Sequence, residues 1–288
     1  MATLYLGGPV WTQKRWVGNF FPAGARPADF LALYSRRLNT VENHSTFYSL
    51  PAPHTVQRWR EQTPLGFRFC CKFPRLLSHD RHLLHIEEES AEWVARLRQL
   101  GDRAGPSFLQ LPPDFGPADL PTLTAYLDRL PPDLQVAVEV RHPGWFHAHP
   151  AAALAQELSA RGRARVNYDV RPLRAPGPRD PLTMKALEVK PEVPVTFERT
   201  APFALVRFVS HPTPAGNQPF FAEWAPQVAE WLAAGADVYF CIQHADDFLV
   251  PALCRDFHEE VARLVPALPT LPAWPSPGRT PERQGRLF

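Results

Sequence analysis

The chain has 288 residues, 45% of them hydrophobic, and a formal charge of +2. That length fits one large domain or two ordinary ones, and the apolar content supports a substantial core. The near-neutral charge excludes a general basic footprint for nucleic acid, so any anion site has to come from local clustering. No apolar run approaches the ~20 residues of a membrane helix, and no signal peptide precedes the strand-like TLYLG at 3–7. Cys70, Cys71, Cys241 and Cys254 lack C-x-x-C spacing and read as core filling. The expectation is a soluble cytoplasmic protein with no membrane partner.

Residues 3–7 form the first predicted strand, followed by an aromatic loop with Trp11, Trp16, Phe20 and Phe21. Pro27 opens a helix over 27–37. Residues 39–43 are a strand that runs into a polar-aromatic turn, VENHSTFYSLP. A short helix over 54–62 leads to the strand FRFCCKF at 67–73 and the loop PRLLSHDRHLLH. An amphipathic helix over 88–100 precedes a strand at 107–111. A helix over 118–130 precedes the strand QVAVEV at 135–140. Residues 151–161 are helical and 165–169 form a strand. A long irregular connection over 170–203 holds one helical stretch at 183–189. The remaining elements are a strand at 204–209, a helix at 220–234, a strand at 237–242 and a last helix at 246–264. Residues 266–281 are too proline-rich to pack as a helix and read as an extended tail or wrapped arm.

Eight strand-like segments alternating with helical ones predict an α/β fold, a single TIM-like (β/α)8 barrel over 1–265, with a C-terminal tail over 266–288. A doubly wound open sheet is the alternative. The stretch at 135–146 organises this reading. Val136, Val138 and Val140 share one face of the strand, and Ala137, Glu139 and Arg141 share the other. In a barrel the valines meet helices and the charged face lines the centre, with its last residues at the mouth.

The same parity applied to every strand gathers Glu42, Lys72, Glu139, Arg141, Asp169 and Arg207 into one cup, with His44, Gln110 and Gln243 beside them. Glu42, Glu139 and Asp169 are the candidate catalytic groups. Trp11, His44, Lys72, Gln110, Arg141, Trp145, Arg207 and Gln243 are the candidate ligand-binding groups. Mutual neutralisation of these charges is the structural alternative. His44, His142, His211 and His244 follow strand ends beside carboxylates, which makes a divalent metal a secondary candidate. No H-x-H or H-E-x-x-H spacing supports it, and no metal ligand is assigned. No G-x-S-x-G elbow or G-x-G-x-x-G fingerprint is present, so a serine hydrolase and a nicotinamide cofactor are disfavoured. Aromatic loops interleaved with Lys14, Arg15, Arg75 and Arg81 resemble a single-strand nucleic-acid grip, or else cap the barrel mouth.

Several stretches together resemble one family. They are WVGNFFP at 16–22, VENHSTFYSLP at 41–51, FCCKFPRLLSHDRHL at 69–83, LQLPPDF at 109–115, VEVRHPGWF at 138–146 and VRFVSHP at 206–212. They resemble the domain-of-unknown-function 72 family, in its YecE-like branch, over residues 3 to 264. The resemblance implies a TIM-like barrel and supplies no reaction. The family's glycine-threonine/serine-glycine-tryptophan start is altered here to Gly7-Gly8-Pro9-Val10-Trp11, and its paired asparagines after the last strand to Gln243-His244.

The chain ends QGRLF, which resembles the Q-x-x-L-F peptide that docks bacterial proteins on the sliding clamp, through Gln284, Leu287 and Phe288. Three functions follow as expectations. The first is binding, with hydrolysis as a candidate reaction, of a phosphate-bearing ligand such as DNA, RNA or a nucleotide. The second is an enzyme acting on a sugar or sugar phosphate. The third is a non-catalytic adaptor for the clamp.

Overall fold

A computed structural model describes residues 2–274. The clamp-like peptide, with Gln284, Leu287 and Phe288, lies outside the described residues.

The strands are β1 (Leu4–Gly7), β2 (Thr40–Asn43), β3 (Arg68–Cys71), β4 (Ser107–Gln110), β5 (Val136–Glu139), β6 (Ala164–Asp169), β7 (Phe203–Val209) and β8 (Asp237–Gln243). The α-helices are α1 (Phe30–Ser35), α2 (Ser45–Tyr48), α3 (Pro53–Gln62), α4 (Glu87–Arg98), α5 (Leu120–Arg129), α6 (Ala148–Ala160), α7 (Arg171–Arg174), α8 (Pro181–Val189), α9 (Gln218–Ala233) and α10 (Val250–Leu264). Strand and helix alternate in the predicted order. Two short helices, α2 and α7, occupy stretches read as turn and irregular chain. The last helix starts at Val250, because residues 244–247 are tied up in local bonds of His244 and Asp246.

All strand pairs are parallel, in a six-stranded sheet of order β1-β8-β7-β6-β5-β4 and a two-stranded sheet β2-β3. The continuous eight-strand ring expected from the sequence is not formed, since the ladder is not closed. Side chains explain one gap. Asn39 inserts its amide between β1 and β2, donating to Leu4 O at 2.8 Å and accepting from Leu6 N at 2.7 Å. Tyr34 does the same, accepting from Gly8 N at 2.8 Å and donating to Thr40 O at 3.0 Å. The backbones still approach closely there: a Cβ on Gly7 would fall 1.9 Å from Thr40 O. Between β3 and β4 the link is two isolated bridges, Phe69 to Ala104 and Lys72 to Phe108.

Two apolar layers follow from strand alternation. Outward residues such as Val136, Val138, Val206, Phe240 and Ile242 pack with the helices and with the loop aromatics Trp16, Phe20 and Phe21. Inward residues form a second cluster that includes Tyr5, Cys70, Phe108, Ala137, Val166, Tyr168, Leu205, Tyr239 and Cys241. The four cysteines are free and buried in these layers. After α10 the chain continues without regular structure to Trp274, whose ring meets Phe20 at 5.3 Å and Arg255 at 4.3 Å. Among the described residues no helix is long and apolar enough to cross a membrane.

Candidate functional site

The inward polar residues lie at the carboxyl ends of the strands, above the inner apolar cluster. Arg207 of β7 is their centre. Its guanidinium donates to Glu42 Oε1 at 2.6 Å and to Glu139 Oε2, so one cation joins β2, β5 and β7. Arg141 donates to Glu139 Oε1 at 2.8 Å and to Gln110 Oε1 at 2.7 Å. Gln243 donates to both oxygens of Glu42, at 2.9 and 3.2 Å, and accepts from Lys190. His44 bonds Glu42 through Nε2. Glu42, Glu139 and Arg207 are each 1–2% exposed, whereas the His44 side chain is 33% exposed and the Arg141 side chain 16%. The cluster therefore reaches solvent past His44 and Arg141.

Burial raises the cost of each charge, and the partners decide the outcome. For Glu42 burial pushes the carboxyl up, but Arg207 and His44 outweigh it and hold it well below the usual range. Glu139 is brought to about 2 in the same way, by Arg207 and Arg141 working against burial. His44 is lowered, chiefly by burial, with Glu42 opposing. Lys72 behaves differently. Burial and the Arg207 charge bring it down to about 7, only partly offset by Glu139. Its ammonium sits 3.6 Å from the centroid of the Phe47 ring. Among the described residues it makes no side-chain hydrogen bond and no ion pair, although Lys72 is 8% exposed. Lys190 is brought down to about 8 by burial and Arg207.

Most of the expected cup is assembled. Glu42, His44, Gln110, Glu139, Arg141, Arg207 and Gln243 are joined by the bonds above, and Lys72 feels their charges. Asp169 is not among them. It faces outward, accepting from Arg171 at 2.9 Å and from Trp224 Nε1 at 2.8 Å. The parity of β6 is opposite to that expected, and its inward residue at this level is Tyr168. The reason lies outside the strand. Asn167 accepts from Thr196 Oγ1 and Glu198 N at 3.0 and 2.8 Å, so polar outward residues are satisfied by the long connection that covers them.

The tryptophans expected at the mouth also lie elsewhere. Trp11 packs edge-on against Trp59 and Phe69 at 5.8 and 6.2 Å, in the outer layer. Trp145 is fully buried and donates to Phe115 O at 2.8 Å. His142, His211 and His244 bond neighbouring backbone or Asp246. Among the described residues no group of three or more His, Cys, Asp or Glu side chains could hold a metal ion.

The sequence reading missed Tyr168, Lys190 and His79 as members of the cluster, whereas Phe47 was among the loop aromatics it singled out. His79 approaches Gln110 at 3.4 Å, and its imidazole is brought down to about 4 by burial and the Lys72 charge. Lys190 comes from the long connection, where no strand parity exists to reveal it. External grooves of about 690 Å³ beside α4 and α5, and about 830 Å³ around residues 264–272, are lined by none of the predicted site residues.

Comparison with known proteins agrees with this architecture. The chain is 36% identical over 273 residues to UPF0759 protein YecE of Escherichia coli K12, covering 94% of this chain and 97% of that one. The O157:H7 form of YecE is 35% identical over the same length. A crystal structure of a DUF72 family protein from Enterococcus faecalis V583 superposes with a TM-score of 0.65 at 17% identity, over 92% of this chain and 98% of that one. One from Thermotoga maritima MSB8 gives 0.61 at 17% identity, over 92% and 99%. These two likenesses are of fold alone. The model described as "Protein of unknown function DUF72" matches residues 5–277, and with the YecE relationship it establishes that the chain belongs to the DUF72 family.

Proposed function

We propose that the cluster at the carboxyl ends of the strands binds a small phosphate-bearing ligand, with the eight strands acting as a TIM-like barrel whose mouth is this site. One observation carries the reading. Four cations, Lys72, Arg141, Lys190 and Arg207, stand against two carboxylates, Glu42 and Glu139. The surplus is two positive charges at most, and one where Asp247 is ionised, in a largely desolvated place. Asp247 neighbours Lys190 at the edge, but burial raises its carboxyl to about 6, which weakens it as a counter-charge at low pH. Buried charge is costly unless matched, and a phosphate group supplies the match through charge-assisted bonds.

Glu42 and Glu139 are then positioning residues. Every oxygen of both carboxylates accepts at least one hydrogen bond, and a carboxyl held near 2 is a poor proton acceptor at neutral pH. They fix the Arg207 and Arg141 forks. The depth of the cluster favours a sugar phosphate or nucleotide over a polymer, and Trp11 and Trp145 offer no stacking face at the mouth.

The test is thermal denaturation at low salt with inorganic phosphate, glycerol 3-phosphate, ribose 5-phosphate, a nucleoside monophosphate and a short single-stranded DNA. A rise in Tm with the small esters, lost in Arg141→Gln, is expected. A rise with DNA alone would move the site to a polymer, and no rise with any probe would end the reading.

A further inference from the structure

Lysine is rare in this chain, with 27 arginines and four lysines, Lys14, Lys72, Lys185 and Lys190. Lys14 and Lys185 are exposed, and the other two stand in the buried cluster. Where only a fixed positive charge is needed, arginine is the better residue, since its fork bonds oxygens in pairs and stays protonated. Arg141 and Arg207 do this here. Lysine offers instead an amine that can lose its proton and act as a nucleophile.

Lys72 is placed for that role. It lies on the inward face at the end of β3, its side chain against the Phe47 ring, with no carboxylate among the described residues paired to the ammonium. A second observation concerns Tyr168. Its hydroxyl is fully buried and has no hydrogen-bond partner among the described residues. Its ring stands 5.8 Å from the Arg141 guanidinium and 5.6 Å from that of Arg207, the two cations whose charges also bear on Lys72. Burial and Glu139 hold the phenol protonated, so it is a donor without an acceptor. An unpartnered buried hydroxyl is rare and calls for an explanation such as an absent ligand atom.

We propose that Lys72 forms an imine with the carbonyl carbon of a small phosphate-bearing aldehyde or ketone, while Tyr168 donates to the carbonyl oxygen. This rests on the anion-binding reading above and adds a reaction to it. The Nζ lone pair forms the C–N bond as the carbonyl π pair moves to oxygen, which takes a proton from the Tyr168 hydroxyl. Nζ returns a proton to the phenolate oxygen, giving a neutral carbinolamine. The C–O bond then breaks and water leaves, having collected both amine protons. No oxidant or further reactant is consumed. Arg141 and Lys190 hold the phosphate, and Phe47 keeps the neutral amine dry.

Two measurements on the full chain test this. In the first, wild type is labelled with a limiting amount of acetic anhydride across pH, and each lysine is followed by peptide mass. A labelling midpoint near pH 7 at Lys72 is expected, well below the ordinary lysine value. A Lys72 midpoint near 10.5 overturns the proposal whatever the substrate is. In the second, dihydroxyacetone phosphate or ribose 5-phosphate is added with borohydride. One adduct is expected, mapped to Lys72, displaced by glycerol 3-phosphate and reduced at least about tenfold in Tyr168→Phe. Adducts spread evenly over Lys14 and Lys185, or none, overturn it. Glycerol 3-phosphate has no carbonyl, so a Tm rise with it and no adduct sinks the imine and leaves the anion site. Failure of both removes both.

Discussion

Arg207 Nη2 lies 2.6 Å from Glu42 Oε1, a bond that ties β7 to β2 although the two strands belong to separate sheets. Glu42 N also donates to Gly8 O at 2.9 Å, so a backbone bond and this side-chain bond both join β2 to the six-stranded sheet. Electrostatics therefore helps hold β2 against the six-stranded sheet, and the same atoms build the candidate site.

Arg207→Met should destabilise the fold strongly. It leaves Glu42 and Glu139, both buried, without their shared cation. Removing one partner of a buried pair costs about 3–5 kcal/mol. Urea denaturation of the variant measures this, and a loss below about 1 kcal/mol would show that the pairing carries little stability.

The wedge residue Asn39 gives a sharper test of how β1 meets β2. Asn39→Asp keeps the acceptor for Leu6 N but loses the donor to Leu4 O. A loss of about 1–3 kcal/mol is expected, because a buried carbonyl is left facing a carboxylate. Equal stability of the variant and wild type in urea would contradict the structural role.

Stability should depend on pH in two windows. Glu139 has a folded value of about 2, below its ordinary 4.5, so its contribution is full above about 4.5 and is lost as pH falls towards 2. Lys72 has a folded value of about 7, below its ordinary 10.5, so the unfolded chain binds the extra proton between those values and stability rises with pH there. Wild type should gain stability relative to Lys72→Met as pH rises from 6 to 8.5. A flat difference would mean that Lys72 keeps an ordinary pKa.

Tyr168→Phe should cost little or stabilise the free protein, since it deletes a buried hydroxyl that has no partner among the described residues, worth about 1–3 kcal/mol when unsatisfied. A loss of more than about 1 kcal/mol would show that the hydroxyl is already bonded in the free protein.

Trp145, expected at a ligand site, is fully buried with its Nε1 bonded to Phe115 O. Trp145→Ala should cost about 3–5 kcal/mol by urea denaturation. Trp145→Phe, which loses the bond to Phe115 O but keeps most of the volume, should bind phosphate esters as wild type does. Weaker binding by a folded Trp145→Phe would restore the ligand role.

Much of this architecture was legible in the residues. Strand alternation put Glu42, Lys72, Glu139, Arg141, Arg207 and Gln243 on the inward side because valine and phenylalanine stripes marked the outward side unambiguously. On β6 the stripe misled. Arg165, Asn167 and Asp169 are outward yet polar, since the chain at 196–200 and α9 supply them with partners. A strand covered by polar connection rather than by an apolar helix face carries no hydropathy signal for its sidedness. Trp11 and Trp145 were misplaced for a related reason: loop aromatics can fold down beneath the strand ends as easily as they can line the mouth. Sheet closure was not readable, because the Asn39 and Tyr34 side chains stand where ladder bonds would run.

The surplus of cations at the strand ends is tested most directly by the phosphorus resonance of glycerol 3-phosphate at low salt. With wild-type protein the line should broaden and then recover when excess inorganic phosphate is added, and Arg141→Gln should leave it sharp. An unchanged linewidth with the wild-type protein would contradict the account.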